Sequence, residues 1–308
     1  MSVFKTVFSK LNSKRVFNFL PDEAFVRLQY FANTGKKLNL NPPKTFNEKL
    51  QWLKIHDHNP KYTDLVDKCE SKAIVGDIIG EQHIIPMYGV WDKFEDVDFS
   101  KLPDTFVLKC THDCGGLVIC KDKSKLDMEK TRKIMTKCLK RNYYWGSREW
   151  TYKNVKPRII AEKLMTDDNI PGEESEHADG LIDYKFYCFN GVPKFLYVAF
   201  ANMKDGNKND AMSYLYTDWT PAHFSRTDHE AFPFEIDKPE RFPEMIEIAK
   251  KLSKGIPFVR VDLYYLQNEI YFSEMTFCPG SGLGVFSPPE EERKLGDWIT
   301  LPPQKVIK

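Results

Sequence analysis

The sequence predicts an α+β fold with a helical N-terminal region, and three observations indicate it. Up to Pro86 the apolar residues recur mainly at helical spacing, whereas alternating strand patterns and a β-hairpin follow. The chain has 308 residues, enough for two domains of roughly 150 residues each. Residues 166–180 are acidic, contain glycine and lack an apolar period, which is typical of a hinge or boundary. We therefore expect a helical region over 1–85 and two α+β subdomains over 86–165 and 166–308.

The composition is that of an ordinary globular protein. Hydrophobic residues make up 42% and charged residues 29%, which is too apolar for a disordered chain. Lys and Arg number 45 against 44 Asp and Glu, so no excess of positive charge indicates a nucleic-acid partner. The longest uncharged stretch, 275–289, is broken by Gly and Pro and is not expected to span a bilayer. The seven cysteines are scattered, which favours reduced thiols in a cytoplasmic protein.

Helices at the start of the chain are predicted by apolar periodicity and by capping signals. Residues 2–15 form a basic amphipathic helix that docks either on its own protein or on a membrane surface. A second helix is expected over 22–33, and a capping box formed by Thr45 and Glu48 begins a third. A fourth helix is expected over 63–79, ended by a glycine.

Alternating patterns and turn signals predict the rest of the fold. Asn190 and Gly191, between two apolar runs, are typical of a tight β-hairpin. Asp127 caps one helix, and Pro239 and Gly255 bracket another. Strands are expected over 106–109, 117–120, 157–164, 181–189, 192–200, 258–265 and 269–276. Helices are expected over 128–141 and 239–254.

The strongest site signal is carried by the last two predicted strands, as Arg260-Val-Asp262 and Glu274-Met-Thr276. Because side chains alternate along a strand, Arg260 and Asp262 share one face, and Glu274 and Thr276 share one face. If those faces coincide, two carboxylates and a guanidinium project together, which suits Mg²⁺ beside a phosphate clamp. The alternative is a solvated strand face with a surface ion pair.

Whether the two faces coincide depends on the turn between the strands. Glu274 joins Asp262 if the connecting loop is odd in length, for example residues 266–268, or if a bulge intervenes. With the three-residue loop, Arg260 pairs with Glu274 and Asp262 pairs with Phe272.

Several other charged positions are candidates for a phosphate site. Lys109 ends a strand and precedes the glycine-containing loop 111–116, whose backbone N–H groups can face phosphate, although an ordinary tight turn fits as well. Glu162 and Lys163 end another strand, and Lys185 lies near the start of the next, where solvated termini are the alternative. Lys68 lies in a predicted helix, where a surface lysine is the default.

Two further patterns carry competing chemistry. Cys110, His112 and Cys114 alternate along one strand face, but such a row splays its ligands and does not favour tetrahedral zinc. Asp96 and Asp98 match the Asp-x-Asp of metal-dependent glycosyltransferases, a motif short enough to arise often by chance.

Taken in order, these segments resemble the ATP-grasp superfamily and, within it, the TupA-like family of teichuronopeptide and polysaccharide biosynthesis. The resemblance covers nearly the whole chain from about residue 20. The matching text is NPPKTFNEKLQWLK (41–54), PMYGVWDKFEDVDFSKLPDTFVLKCTH (86–112), KPRIIAEKL (156–164), DYKFYCFNG (183–191) and VRVDLYYLQNEIYFSEMTF (259–277).

The resemblance implies a nucleotide site, a metal site and a substrate loop. The nucleotide-binding residues it implies are Lys68, Lys109, Thr111, His112, Gly115, Gly116, Glu162, Lys163 and Leu164. The Mg²⁺ ligands it implies are Asp262, Glu274 and Thr276, the last in place of the Asn usual in ATP-grasp enzymes. The residues it implies at the reacting centre are Arg260, as acyl-phosphate clamp, and Lys185. The segment that resembles the second-substrate loop of D-alanine ligases is Pro279, Gly280 and Ser281.

The implied fold is an ATP-grasp fold, with two α+β subdomains that clamp ATP. The implied activity is an ATP- and Mg²⁺-dependent, ADP-forming carboxylate–amine ligase that joins an amino acid to a glycan or sugar acid through an acyl phosphate. The expected setting is the cytoplasm, at the inner membrane surface if the first helix docks there. One alternative is a glycosyltransferase. Another is a non-catalytic binding module, because Thr276, and Asp113-Cys114 in place of Gly-Ser, depart from relatives.

Overall fold

A computed structural model describes residues 3–113, 115–166, 181–204, 207–227 and 236–303. The hinge expected over 166–180 lies, except for its first residue, outside the described residues. Mixed helix and sheet content confirms the predicted fold class. The three domain boundaries stay a prediction.

Five α-helices lie in the N-terminal region. They are α1 (Val3–Ser13), α2 (Asp22–Thr34), α3 (Phe46–His56), α4 (Lys61–Val66) and α5 (Glu70–Ile79). The capping box that begins α3 is confirmed, because the Thr45 side chain accepts from the Glu48 N–H and the Glu48 carboxylate accepts from the Thr45 N–H. The single helix expected over 63–79 is wrong. Asp67 Oδ1 accepts from the backbone N–H groups of Cys69 and Glu70, which ends α4 and begins α5.

The first sheet has four antiparallel strands in the order β1-β4-β2-β3. Its strands are β1 (Met87–Trp91), β2 (Phe106–Cys110), β3 (Leu117–Cys120) and β4 (Ile159–Glu162), and the helices of this region are α6 (Met128–Leu139) and α7 (Tyr144–Ser147). Phe106 and Leu108 of β2 pack with Met135 of α6 in a buried core. Strand β1 was not predicted, because its Met87, Tyr88 and Val90 are exposed and give no alternating pattern.

The second sheet has five antiparallel strands in the order β10-β9-β5-β6-β7. The elements of this half are β5 (Ile182–Phe189), β6 (Val192–Lys204), β7 (Asn207–Tyr216), β8 (Ser225–Arg226), α8 (Phe242–Ser253), β9 (Phe258–Leu266), β10 (Glu269–Thr276), β11 (Phe286–Ser287) and α9 (Glu291–Asp297). The β5–β6 hairpin is confirmed, with positive φ at both Asn190 and Gly191.

Both faces of the second sheet are buried. Along β5, Tyr184 and Phe186 pack in the core that contains α8, whereas Tyr187 and Phe189 pack with Phe46 of α3. Lys185 alternates onto the α3 side, as does Asp262, which pairs with it on β9.

The turn of the β9–β10 hairpin differs from the three-residue loop considered above. Leu266 pairs with Glu269, so only Gln267 and Asn268 form the turn, and both have positive φ. Two such residues are typical of a type I′ turn, whose twist matches that of the strands.

A β-bulge restores the expected face. The register shifts between Phe272 and Glu274, so that Glu274 lies opposite Asp262 and Thr276 lies opposite Arg260. The strand register that places Arg260 opposite Glu274 is therefore wrong, and the alternative with a bulge is the one observed. All four motif side chains meet on one face.

Six cysteines lie in the described part of the chain and all are free thiols, namely Cys69, Cys110, Cys120, Cys138, Cys188 and Cys278. Across the described ranges, no helix has both the length and the apolarity needed to cross a membrane.

Candidate active site

A cleft of about 270 Å³ collects charged residues from both sheets and from the segment around α5. Seven predicted site residues line it, namely Lys68, Lys109, Gly115, Gly116, Glu162, Lys185 and Glu274. Residues that line it without having been predicted as site residues are Ser71, Lys72, Cys110, Asp113, Leu117, Asp183, Tyr264, Phe272 and Ser273.

One wall of the cleft is organised by Glu162, whose carboxylate is buried at the end of β4. Lys109 Nζ lies 2.6 Å from Glu162 Oε2, and Lys72 Nζ lies 2.9 Å from Oε1. Burial raises the pKa of Glu162, but the two ammonium groups outweigh it and hold the pKa below its ordinary value. Sequence reasoning missed Lys72; its only signal is a position four residues after Lys68.

Lys68 ties this wall to the glycine loop. Its Nζ donates to the Asp113 carbonyl at 2.8 Å, and its backbone N–H donates to the Thr111 carbonyl at 3.1 Å. Thr111 and His112 are buried, and hydrogen-bonding contacts of their side chains anchor the start of the loop. Thr111 Oγ1 donates to the Lys156 carbonyl, and His112 Nε2 lies 3.2 Å from the Cys138 carbonyl oxygen.

Asp113 is a carboxylate beside the expected triphosphate, and the structure compensates its charge. Oδ1 accepts from the Gly115 N–H at 3.1 Å, while Oδ2 forms an ion pair with Arg141 and accepts from Cys138 Sγ at 3.4 Å. The side chain is buried, so its negative charge is balanced within the loop region. The Asp113 carboxylate therefore has a counter-ion of its own in Arg141.

Lys163 and Leu164, the residues after Glu162, lie outside the cleft lining. The Lys163 side chain is exposed, and its backbone N–H donates to the Pro86 carbonyl at 2.9 Å. Leu164 is half-buried. Lys163 therefore continues the contact of β4 with the chain before β1 by one backbone hydrogen bond.

The wall formed by Lys185 and Glu274 is backed by a buried ion cluster centred on Asp262, which has no exposed surface. The cleft lining does not include Arg260, Asp262 or Thr276. Arg260 donates to both of its oxygens, from Nε to Oδ1 at 2.7 Å and from Nη2 to Oδ2 at 2.6 Å. Lys185 Nζ donates to Oδ2 at 2.9 Å. Burial raises the pKa of Asp262, but Arg260 and then Lys185 outweigh it, so the pKa lies below its ordinary value.

The remaining contacts of Arg260 bring the other motif residues to the same place. Its Nη2 lies 3.3 Å from Glu274 Oε1 and donates to Thr276 Oγ1 at 3.0 Å, and its Nη1 donates to the Tyr197 hydroxyl at 3.1 Å. The Glu274 side chain is 38% exposed, so it is the carboxylate of the motif that faces the cleft.

Asp183 is a further acid at this wall that the sequence did not single out as a site residue. Its Oδ2 lies 3.0 Å from Lys185 Nζ, and burial raises its pKa above the ordinary value despite that neighbour. The signal for it was the strand alternation that puts positions 183 and 185 on one face.

The donor set fits a hard divalent cation in its chemistry. Carboxylate and hydroxyl oxygens are what Mg²⁺ prefers, and this cluster contains three carboxyl groups and the Thr276 hydroxyl. Glu274 faces the cleft, whereas both oxygens of Asp262 are held by Arg260 and Lys185. Within the described ranges, no group of three or more His, Cys, Asp or Glu residues is arranged to hold a metal ion.

The expected substrate loop forms a short turn, Pro279–Gly282, whose polar groups face α3. Ser281 Oγ donates to Glu149 Oε1 at 2.8 Å, and the Ser281 carbonyl accepts from Lys54 Nζ at 2.8 Å and from Gln51 Nε2 at 2.9 Å. Both Gly280 and Ser281 have positive φ. Side chains from distant parts of the chain therefore fix this loop.

The glycosyltransferase motif lies on the surface. Asp98 Oδ1 accepts from the backbone N–H and the hydroxyl of Ser100, and its side chain pairs with Lys101. Asp96 is exposed in the preceding turn. Asp98 therefore acts as a local cap.

Comparison with known proteins gives one family and several distant structures. The sequence profile of the TupA-like ATPgrasp family matches residues 48–300. No curated protein matches the chain.

Among solved structures, D-alanine–D-alanine ligase from Bacillus anthracis is 16% identical, with 84% of this chain and 70% of that chain covered and a TM-score of 0.41. The ATP-grasp ligase PsnB, complexed with a phosphomimetic variant of its minimal precursor, Mg and ADP, is 10% identical, with 81% and 63% covered and a TM-score of 0.42. Phosphoribosylamine–glycine ligase from Thermotoga maritima is 12% identical, with 72% and 51% covered and a TM-score of 0.42. The chain thus spans between about half and 70% of their lengths.

The ion cluster predicts a large stability difference between two conservative substitutions. Asp262→Asn should lower the free energy of unfolding by about 3–5 kcal/mol, because it leaves two buried cations without their shared counter-ion. Glu274→Gln, on a half-exposed side chain, should cost much less. Urea unfolding at neutral pH measures both, and equal values for the two variants would contradict the prediction.

The stability of wild type and Asp262→Asn should also differ in its dependence on acidic pH. Because the folded-state pKa of Asp262 is depressed, its contribution to stability is present above the unfolded value near 3.9 and is lost as pH falls through the folded value. Wild type should therefore lose stability over that window, and Asp262→Asn should lose less.

Proposed function

This chain belongs to the TupA-like ATP-grasp family, and from that membership we propose that it is an ATP-dependent, ADP-forming ligase that makes an amide bond. One observation carries the proposal. Three lysines, Lys68, Lys72 and Lys109, line the same cleft as Lys185 and Glu274, next to the guanidinium of Arg260. A cleft with these charges suits a triphosphate next to a reacting carboxylate.

The lysines supply the phosphate-binding charge. In the structure Lys109 is paired with Glu162 and Lys68 with a loop carbonyl. A bound triphosphate competes with these partners for the ammonium groups, and the glycine loop 111–116 brings its backbone N–H groups close. When ATP binds, phosphate oxygens thus replace the internal partners of these lysine ammonium groups.

Mg²⁺, when bound, neutralises charge on the transferring phosphoryl group. Glu274 would hold it from the cleft side, and the further ligands that we propose from the family are Thr276 and Asp262, the latter exchanging an oxygen now held by Arg260 or Lys185. The protein's own part is orientation. Tyr197 and Asp262 fix the Arg260 guanidinium, so its N–H groups are positioned before the substrate arrives.

The reaction that fits this charge distribution has two steps. A substrate carboxylate oxygen attacks the γ-phosphorus of ATP and ADP leaves, which gives an acyl phosphate. An amine nitrogen then attacks the acyl carbon and phosphate leaves. Arg260 supplies positive charge beside the acyl phosphate, and Lys185 adds a second positive charge.

The substrates we propose are an amino acid and a glycan or sugar acid of a surface polysaccharide such as a capsule, in a cytoplasmic enzyme. The support for this class is the family itself. No nucleic-acid partner is proposed, since the charges of the chain balance.

The first helix and the turn that follows it support peripheral contact with the inner membrane surface. Phe8 is buried against Phe17 and Phe25, whereas Val3 is 81% exposed and Phe19 is 79% exposed. The basic residues of this segment are Lys5, Lys10, Lys14 and Arg15, and no acidic residue precedes Asp22. Apolar side chains flanked by basic ones suit anionic lipid.

For nucleotide binding, Lys109→Ala should weaken the affinity for Mg-ATP by about tenfold or more, because it removes one charge from the phosphate wall. Lys125→Ala is the matched control, since that lysine is 83% exposed on the same subdomain. Isothermal calorimetry measures both variants, and an unchanged affinity for Lys109→Ala would return Lys109 to a structural role.

For mechanism, hydroxylamine should trap the acyl phosphate. With ATP and a panel of amino acids and sugar acids, the carboxylate that is activated should give a hydroxamate in equal amount to ADP. Glu274→Gln should abolish both products. AMP and pyrophosphate as products, or sugar transfer without ATP, would refute the ligase.

For the membrane surface, the protein should sediment with phosphatidylglycerol vesicles more than with phosphatidylcholine vesicles. The double change Val3→Asp and Phe19→Asp should remove the excess, because it puts charge on the two most exposed apolar side chains of this segment. Val192→Asp, at an exposed apolar site on the β5–β6 hairpin, is the control and should bind as wild type. Equal sedimentation on both lipids would contradict the proposal.

A further inference from the structure

Two thiols lie directly beneath the glycine loop. Cys110, the last residue of β2, and Cys138, on α6, are 1% and 2% exposed. A Cβ added at Gly116 would overlap Cys138 Sγ and lie 3.3 Å from Cys110 Sγ. Both sulfur atoms therefore border the same small space, and Gly116, with φ of +87°, leaves that space open to them.

The surroundings make the two thiols unequal. Cys138 Sγ lies 3.4 Å from Asp113 Oδ2 and 3.9 Å from the Arg141 guanidinium. A hydrogen bond from Cys110 is the main cause that lowers the pKa of Cys138, and the same bond is the main cause that raises the pKa of Cys110. Burial and the Asp113 carboxylate oppose the lowering at Cys138, whereas Arg141 adds to it. Cys138 is the thiol that more readily becomes a thiolate.

The pair is also placed where a bond between its members would affect the cleft. Cys110 lines the cleft and follows Lys109 directly. Cys138 belongs to the helix that packs on β2 and β3. A covalent link would tie the end of the strand that carries Lys109 to α6, under the loop 111–116.

We propose that Cys110 and Cys138 form a reversible disulfide on exposure to a hydroperoxide, and that this bond lowers the affinity of the cleft for ATP. The second half rests on the proposed function. The Cys138 thiolate attacks a peroxide oxygen and the O–O bond breaks, which gives a sulfenic acid and hydroxide that leaves as water. The Cys110 sulfur, giving up its proton, attacks the sulfenic sulfur and a second water leaves. Two thiols and one hydrogen peroxide thus give one disulfide and two waters.

The expected effect on the loop follows from bond geometry. A disulfide brings its sulfur atoms to about 2.05 Å, much closer than two thiols in contact. Drawing Cys138 towards Cys110 removes its sulfur from Asp113 and shifts the residue that follows Lys109. We expect the dissociation constant for Mg-ATP to rise tenfold or more.

The test uses the full chain, treated with hydrogen peroxide. Free thiols are then alkylated and the peptides mapped by mass spectrometry, which should find a Cys110–Cys138 link that dithiothreitol removes. Calorimetry with Mg-ATP follows on the reduced, oxidised and re-reduced protein. Cys138→Ser and Cys110→Ser should each prevent the link and the loss of affinity. Cys120→Ser is the matched control, a buried thiol on β3 that should behave as wild type.

Two mapping results overturn the pair, namely a link from Cys138 to Cys114 and the absence of any link. A Cys110–Cys138 link that leaves ATP affinity unchanged overturns the regulatory half. If the reduced wild type does not bind Mg-ATP, the proposed function fails, while the peptide map still decides whether the pair forms. Two separate serine variants keep the test decisive if one of them does not fold.

Discussion

A buried carboxylate has to be matched by positive charge, and Asp262 is the place where the rest of the site depends on that constraint. A buried charge without a partner costs several kcal/mol. Separating Arg260 or Lys185 from Asp262 would therefore destabilise the fold. The bulge in β10 serves the same end, because it turns Glu274 and Thr276 towards Arg260. Stability and chemistry therefore draw on the same side chains.

The other wall repeats the pattern with different residues. Glu162 holds Lys72 and Lys109, and Asp113 holds Arg141. The charges that an incoming polyanion needs are thus already ordered by internal carboxylates, which reduces the side-chain entropy lost on binding. The carboxylates that position these cationic side chains also compete with the polyanion for them. The affinity for the polyanion therefore depends on how much more strongly the cations bind it than they bind the carboxylates.

Sequence patterns predicted what depends on neighbours along the chain. The capping box of α3, the Asn190-Gly191 turn and the two strands that carry Arg260-Val-Asp262 and Glu274-Met-Thr276 follow from spacing alone. The sharing of a face within each of those strands follows from spacing as well. What spacing lacks is the partner across the fold. It did not single out Lys72 or Asp183, whose roles arise from Glu162 and Lys185, and it left the β9–β10 register open until a two-residue turn and a bulge fixed it. The break at Asp67 was missed because a side-chain cap competes with helical periodicity.

The anchoring of the Pro279–Gly282 turn has a consequence for how this sequence can vary. Gln51 and Lys54 hold the Ser281 carbonyl although they lie 230 and 227 positions away, and Glu149 holds its hydroxyl. A substitution at position 281 changes how the carbonyl acceptor of the turn is placed for the Gln51 and Lys54 side chains of α3. A substitution at either of those positions in α3 removes a donor that the turn requires. Homologues should therefore show correlated substitutions between these segments. The family match begins at residue 48, inside α3, so that covariation should be readable within the shared region.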